Sequence, residues 1–307
     1  MNKSKKILII THPGFLNTIV KIIKKLDSGD IKVISFNDHI WRGRTLFQRA
    51  NLLKDYHCVH FFWGKVKIID FLIFRFYSKV KIIDHFMGTD LYNILKSKRK
   101  TFELKLCSKL SKILVVGYIL NEELNSIGVD NEIVYIINHE VKKTDYNFPL
   151  DKKAIVYIPS ARKIFFNYDM LFRLAEENMD TEFTWFPYEK EENEILPENV
   201  TTFKYINNLE IQNKFIENKV FIRIPVHDGG APLSLIEALN VGRLCIWSFK
   251  MEGSETIQNY EELKYKFTSL ISKTEPNKKG EDYVISEFNF EKIINGFKQI
   301  YSDLGLL

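Results

Sequence analysis

The stretch Val220–Trp247, VFIRIPVHDGGAPLSLIEALNVGRLCIW, reads as a strand, a glycine turn, a helix and a second strand. VFIRI is a short apolar run that ends at Pro225-Val226-His227, and Asp228-Gly229-Gly230-Ala231 forms the turn. Pro232 opens a helix over Leu233 to Leu239, and Gly242 ends it, as proline and glycine do at the two ends of helices. LCIW at 244–247 is the next strand. Short continuous apolar runs alternating with helices are the pattern of a parallel sheet covered on both faces.

The same alternation extends outward in both directions. Toward the N-terminus lie the runs Ile7–Ile10, Ile31–Ser35, Cys58–Phe62, Val80–Asp84, Ile113–Val116 and Glu132–Ile137, with an amphipathic stretch over Thr18 to Leu26. A polar segment follows, Asn138 to Lys153 (NHEVKKTDYNFPLDKK), and reads as an interdomain linker. Beyond it the strands Ala154–Ile158, Glu182–Phe186 and Val200–Phe203 precede the opening segment, with a helix from Tyr168 to Asn178. A helix of period near 3.6 over Phe290 to Leu304 closes the chain. The expectation is α/β: two Rossmann-like, doubly wound parallel-sheet domains, 1–145 and 146–307, facing a cleft at the carboxyl ends of their strands.

Composition agrees with a folded enzyme. The 307 residues suffice for two cores, and 45% hydrophobic against 27% charged argues against disorder. A net charge of +5 suits a diphosphate ligand or an anionic membrane nearby, and falls short of a nucleic-acid footprint. Cys58, Cys107 and Cys245 are far apart and odd in number, which points to a reducing, cytoplasmic setting without a zinc site. The N-terminal ILII is a strand and too short for a signal peptide. Val66–Phe76 (VKIIDFLIFRF) reads as a buried or half-buried helix, with a membrane-surface helix as the alternative, and is too short and too charged to span a bilayer. The first strand is followed by a single Gly14 without GxGxxG, and no GxxxxGK[ST] occurs, so a dehydrogenase and a P-loop enzyme are disfavoured.

The opening segment carries the chemistry. Glycines at 229 and 230 let backbone approach a ligand, and the free amides through Ala231 at the helix start favour an anion. Arg223 and His227 would flank a diphosphate there. Glu237 lies about 7–8 Å along the helix axis, where a carboxylate accepts hydrogen bonds from a ribose diol. The bland alternative is a strand-turn-helix with a solvated acid.

With these residues in place, the segment resembles the donor-site signature of GT-B glycosyltransferases of the family-4-like retaining group (glycosyl transferases group 1). That signature has an acid, a glycine-rich turn, Glu-Ala-(Leu/Met) and a glycine; here stand Asp228, Gly229-Gly230, Glu237-Ala238-Leu239 and Gly242. The resemblance implies that Glu237 holds the ribose, while Asp228 and the turn amides hold the donor sugar and phosphates. Eight residues separate Asp228 from Glu237, one more than the family spacing, so strict counting puts Gly229 at the first acidic position. His85-Phe86-Met87-Gly88-Thr89-Asp90 resembles the family's His-x-x-Gly-(Ser/Thr)-Asp, which implies catalytic roles for His85 and Asp90. Asp90 reads equally as a helix cap, and His85 as a structural histidine. Ile155–Lys163 (IVYIPSARK) resembles the segment that brings a basic residue to the diphosphate, with Arg162 and Lys163 as candidates. Gly14 matches the glycine of the first-strand loop.

What this implies is transfer of a sugar from a UDP- or GDP-linked donor to a saccharide or lipid-linked saccharide, with retention, in surface polysaccharide or glycoconjugate synthesis. No metal or other cofactor is expected. Phe61, Phe62, Trp63, Lys65, Lys67, Phe71, Phe74, Phe76 and Tyr77 suggest an acceptor face at the inner membrane surface. The alternatives are a sugar-nucleotide epimerase or phosphorylase of the same fold, and a non-catalytic member that binds a sugar or a partner.

Overall fold

The structure, a computed structural model, describes residues 5–26, 30–63, 67–137, 141, 146–204 and 208–307. Lys65 and the linker positions 138–140 and 142–145 therefore lie outside the described residues. The chain divides into two compact units, Met1–Glu140 with Asp228–Ala231 and Phe290–Leu307, and Val141–His227 with Pro232–Asn289.

The first unit runs β1 (Lys6–Thr11), α1 (Leu16–Lys24), β2 (Asp30–Ser35), α2 (Leu46–Leu53), β3 (Cys58–Phe62), α3 (Ile68–Phe76), β4 (Lys81–Phe86), α4 (Thr89–Leu95), α5 (Lys98–Cys107), β5 (Lys112–Val115), α6 (Tyr118–Ser126) and β6 (Glu132–Ile133). The second runs β7 (Lys153–Tyr157), α7 (Tyr168–Glu176), β8 (Glu182–Phe186), β9 (Val200–Thr202), α8 (Asn208–Glu217), β10 (Val220–Arg223), α9 (Leu233–Asn240), β11 (Leu244–Trp247), β12 (Ser254–Thr256), α10 (Tyr260–Ile271) and α11 (Lys278–Glu287). Helix α12 (Phe290–Asp303) then packs in the first unit.

Each sheet has six strands, all parallel: β2-β1-β3-β4-β5-β6 in one and β12-β11-β10-β7-β8-β9 in the other. The central strands are buried along most of their length because helices cover both faces. In the first unit β1 packs Leu8 and Ile10 against Phe61, Phe71 and Phe74 on one side. On the other side His60, Phe62 and His85 stack with Phe297 of α12. The His60 Nδ1 meets the Tyr301 hydroxyl at 2.9 Å, while its buried Nε2 has no hydrogen-bond partner among the described residues. Burial, with His85 beside it, pushes His60 well below the ordinary histidine range.

Two sequence expectations change here. The run 132–137 extends as strand only over Glu132–Ile133, an exposed edge that pairs β5 alone. The polar edge strand β12 has no apolar signature to announce it. Helix α3 is half-buried, with Phe71 and Phe74 in the core and Ile69 and Phe76 outward. Phe61, Phe62, Phe71 and Phe74 are core residues, so of the aromatics read as an acceptor face only Phe76 and Tyr77 are exposed, with Trp63 half-buried. Among the described residues, no helix is long and apolar enough to cross a membrane.

Candidate active site

The segment that opened the sequence reading divides between the two units. Asp228–Ala231 belongs to the first, and the strand before it and the helix after it belong to the second.

In the first unit the glycine turn lies on two other strand-to-helix turns. A Cβ on Gly117, which precedes α6, would stand 2.5 Å from the Gly229 carbonyl oxygen and 2.8 Å from the Gly230 carbonyl carbon. A Cβ on Gly230 would stand 2.9 Å from the amide nitrogens of Tyr118 and Ile119, at a φ of +95° that side chains rarely adopt. Gly229 faces Met87 and Val116: a Cβ there would meet the Met87 carbonyl oxygen at 3.0 Å and Val116 at 3.2 Å. The close backbone approach that these glycines permit is thus made to the chain itself. The extra residue in the loop gains a physical meaning. Position 229, where the family spacing puts an acid, is tight against Met87 and Val116, and the acid stands at 228, where its Oδ1 accepts the Gly229 N–H at 2.8 Å.

Asp90 is buried at the start of α4. Its carboxylate accepts N–H bonds from Met87 (3.0 and 3.1 Å), Gly88 (2.8 Å) and Leu91 (2.9 Å), which fixes the turn around Gly88 at φ +139°. Burial raises its pKa, and those N–H bonds pull the other way. Gly88 is the N-cap of α4 and Asp90 its second residue, so Asp90 holds the amides of the turn without standing at the N-cap position. His85 is fully buried on β4, with Nε2 against the Val134 carbonyl oxygen at 3.0 Å. Burial lowers its pKa to about 3, so it stays neutral. Its ring lies inside the aromatic stack with His60, Phe62 and Phe297, which is the structural reading of that histidine. Gly14 sits in an exposed one-turn helix, Pro13–Phe15, and donates its N–H to His12 Nδ1 at 3.2 Å. A Cβ there would make only ordinary contact with the His12 ring, so sterics do not demand glycine.

In the second unit, β10 ends beside the turn that follows β7. Val226 N–H donates to the Phe165 carbonyl at 2.8 Å, and the Asn167 side chain donates to the Ile224 carbonyl at 2.7 Å. This brings two guanidinium groups to one aromatic ring. Arg223 lies 4.4 Å from the Tyr157 ring centre and 5.3 Å from that of Phe166, and Arg162 lies 4.5 Å from Phe165 and 6.0 Å from Phe166. Stacking on these rings holds both guanidinium planes in place. Lys163 is placed otherwise. Its ammonium pairs with Glu191 at 2.9 Å and Glu194 at 3.1 Å, so two carboxylates already neutralise it. Glu194 also accepts from the hydroxyls of Tyr168 and Tyr188. Burial would raise the Glu194 pKa, but these bonds and that of Lys163 hold it near 2. His227 is buried at the end of this strand segment.

Helix α9 begins after Pro232, whose side chain carries no acceptor, so the first amides have no side-chain cap. Gly242 takes φ +71° just past its end. Leu239 is packed where Gly253 and Gly280 bring α11 close: a Cβ on Gly253 would fall 2.2 Å from the Gly280 Cα. Glu237 is two residues earlier, about 200° around the helix from Leu239, and half-buried. Burial raises its carboxyl to about 7, so it changes charge near neutral pH. Among the described residues no group of three or more His, Cys, Asp and Glu could hold a metal ion.

Sequence reasoning missed Gly117, for which a glycine directly after the strand ILVV was the available signal.

At the level of sequence, no protein-family model and no curated protein matches the chain. Solved structures do match in fold. Anabaena HepE in complex with UDP-glucose superposes with a TM-score of 0.69 at 10% identity, covering 97% of this chain and 99% of that one. TarM superposes with a TM-score of 0.60 at 14% identity over 83% of this chain, which spans only 58% of TarM. A putative UDP-N-acetylglucosamine 2-epimerase from Listeria monocytogenes gives 0.58 at 13% identity, covering 99% and 98%. With two six-stranded parallel sheets flanked by helices, the chain has the GT-B fold of glycosyltransferases.

Proposed function

We propose that the protein is a glycosyltransferase that takes a sugar from a nucleotide diphosphate sugar, with the nucleotide held on α9. The observation that carries this is Glu237, half-buried one turn into a helix whose first amides are uncapped. The ribose diol donates to the Glu237 carboxylate, and the exposed amides and helix dipole receive the diphosphate. Arg162 and Arg223 add cationic character to the same unit. As the glycosidic bond to phosphate breaks, these groups meet the growing charge with dipoles and cations already in place, and no metal ion is invoked. The likeness to a structure that contains UDP-glucose supports the donor class. A saccharide or lipid-linked saccharide acceptor and retention at the anomeric carbon complete the reading.

The test is a transfer assay with UDP- and GDP-sugars. Glu237→Ala should raise the donor KM by at least about tenfold with an unchanged circular dichroism spectrum, and the product anomer reports retention. Unchanged kinetics in that variant would remove the assignment.

A second reading has one observation in its favour, the likeness to the Listeria epimerase. An epimerase converts the sugar nucleotide with no acceptor present, so incubation of the donor alone separates the two.

A further inference from the structure

The first unit contains a cavity of about 770 Å3 that none of the donor-site residues lines. It lies over β4 and is walled by α3, α4 and α5, with Ile68, Phe86, Ile94 and Leu104 as apolar surface. Its size falls in the range of small-molecule sites. Asp84 lines it and is 3% exposed. Among the described residues its Oδ1 has no hydrogen-bond partner. A buried carboxyl oxygen left unpaired is unfavourable, and a bound ligand with a hydroxyl would satisfy it. Burial and the neighbouring Asp90 hold the Asp84 carboxyl well above the usual carboxylate range, so its partner need not be a cation.

Trp63 stands at the same cavity. Its backbone sits at φ +79°, a strained conformation for a non-glycine residue. Its N–H donates to the His85 carbonyl at 3.0 Å, and its ring lies 5.4 Å from that of His12 and 5.9 Å from that of Phe15. The indole is therefore held in place at the cavity as a flat apolar wall. The exposed residues Lys67, Arg99 and Lys100 also line the cavity; Arg99 pairs with Glu103 at 3.1 Å.

Unpaired buried acid, fixed indole and cationic rim together select for one chemistry. We propose that this cavity is a second ligand site, for a phosphorylated polyol whose hydroxyl bonds Asp84 Oδ1 and whose phosphate meets Lys67 and Lys100. A polyol has the CH faces for Trp63 and the apolar walls, and hydroxyls for the carboxyl beneath them. Free sugar phosphates and the headgroups of anionic lipids share this chemistry.

The site does not depend on the donor reading, so its test uses the full chain without any nucleotide. Glucose 1-phosphate and glycerol 3-phosphate are titrated calorimetrically, with glucose and inorganic phosphate as fragments, and phosphatidylglycerol vesicles against phosphatidylcholine vesicles as the lipid arm. At least one phosphorylated polyol should bind about tenfold more tightly than either fragment, and which arm responds identifies the source. Asp84→Leu should weaken that binding about tenfold or more. Lys67→Glu with Lys100→Glu, on the exposed rim, should weaken it several-fold and serves should the Asp84 variant fail to fold. Absence of saturable binding in both arms would overturn the proposal, as would binding that survives both sets of substitutions. UDP titrated in parallel reports on the donor site separately, since neither set touches it.

Discussion

The turn from β4 into α4 and the turn from β10 into α9 are built alike, a strand, a glycine and an acid near the start of a helix, yet they use their acids differently. In the first, the Asp90 carboxylate is occupied by the N–H groups of Met87, Gly88 and Leu91. In the second, Glu237 lies a turn further along and its carboxyl sits near 7 through burial. An acid within one or two residues of a helix start serves the backbone, because its oxygens reach the orphan amides. An acid a full turn on is beyond their reach. Sequence resemblance alone gives both the same weight; the position relative to the amides separates them.

The comparison can be broken most severely through the glycines. Gly117→Ala should cost about 3 kcal/mol or more in denaturant unfolding, since its Cβ would collide with the Gly229 carbonyl oxygen at 2.5 Å and backbone has to move. A near-neutral result would mean that the Gly229-Gly230 turn does not rest on α6. Next comes Asp90→Ala, expected to cost about 2 kcal/mol through loss of those N–H bonds; Asp90→Asn, which keeps one acceptor oxygen, should recover part of that. If Asp90→Asn instead kept full stability and abolished transfer, Asp90 would be catalytic and the contrast would fail.

Glu237→Gln should act in the opposite direction. The folded pKa of about 7 lies above the 4.5 of an unperturbed glutamate. Stability from the neutral form is therefore complete below pH 4.5 and is lost as pH rises through 7. Gln stays neutral, so the variant should match the wild type at pH 4 and exceed it by about 2 kcal/mol at pH 8. Equal stability at both pH values would show that the carboxyl is not held in a desolvating site. The smallest effect is expected at Gly14→Ala, within about 0.5 kcal/mol, because that turn is exposed and its φ is not positive.

Much of the fold was legible because parallel strands buried on both faces are nearly continuous apolar runs; CVHFF and LCIW coincide with their strands to the residue. The run after β5 misled because Val134, Ile136 and Ile137 are buried without forming strand, and periodicity does not separate those cases. In the candidate site, Pro232, Glu237 and Gly242 were legible from helix boundary chemistry. Lys163 was not, since its partners Glu191 and Glu194 are distant in sequence and mark no motif. Nor was the role of Gly229 and Gly230, whose neighbours at Gly88 and Gly117 come from turns more than a hundred residues away. Asp84 ended an apolar run and gave no hint of a cavity.

The central claim, that α9 binds a nucleotide diphosphate through ionised Glu237, is tested most directly by UDP affinity as a function of pH in the wild type and in Glu237→Gln. The account predicts that the wild-type Kd, corrected for UDP's own titration, rises about tenfold per unit as pH falls below 7. The Gln variant should bind more weakly at pH 8 and lose that slope. The same affinity and the same pH profile in both proteins would contradict it.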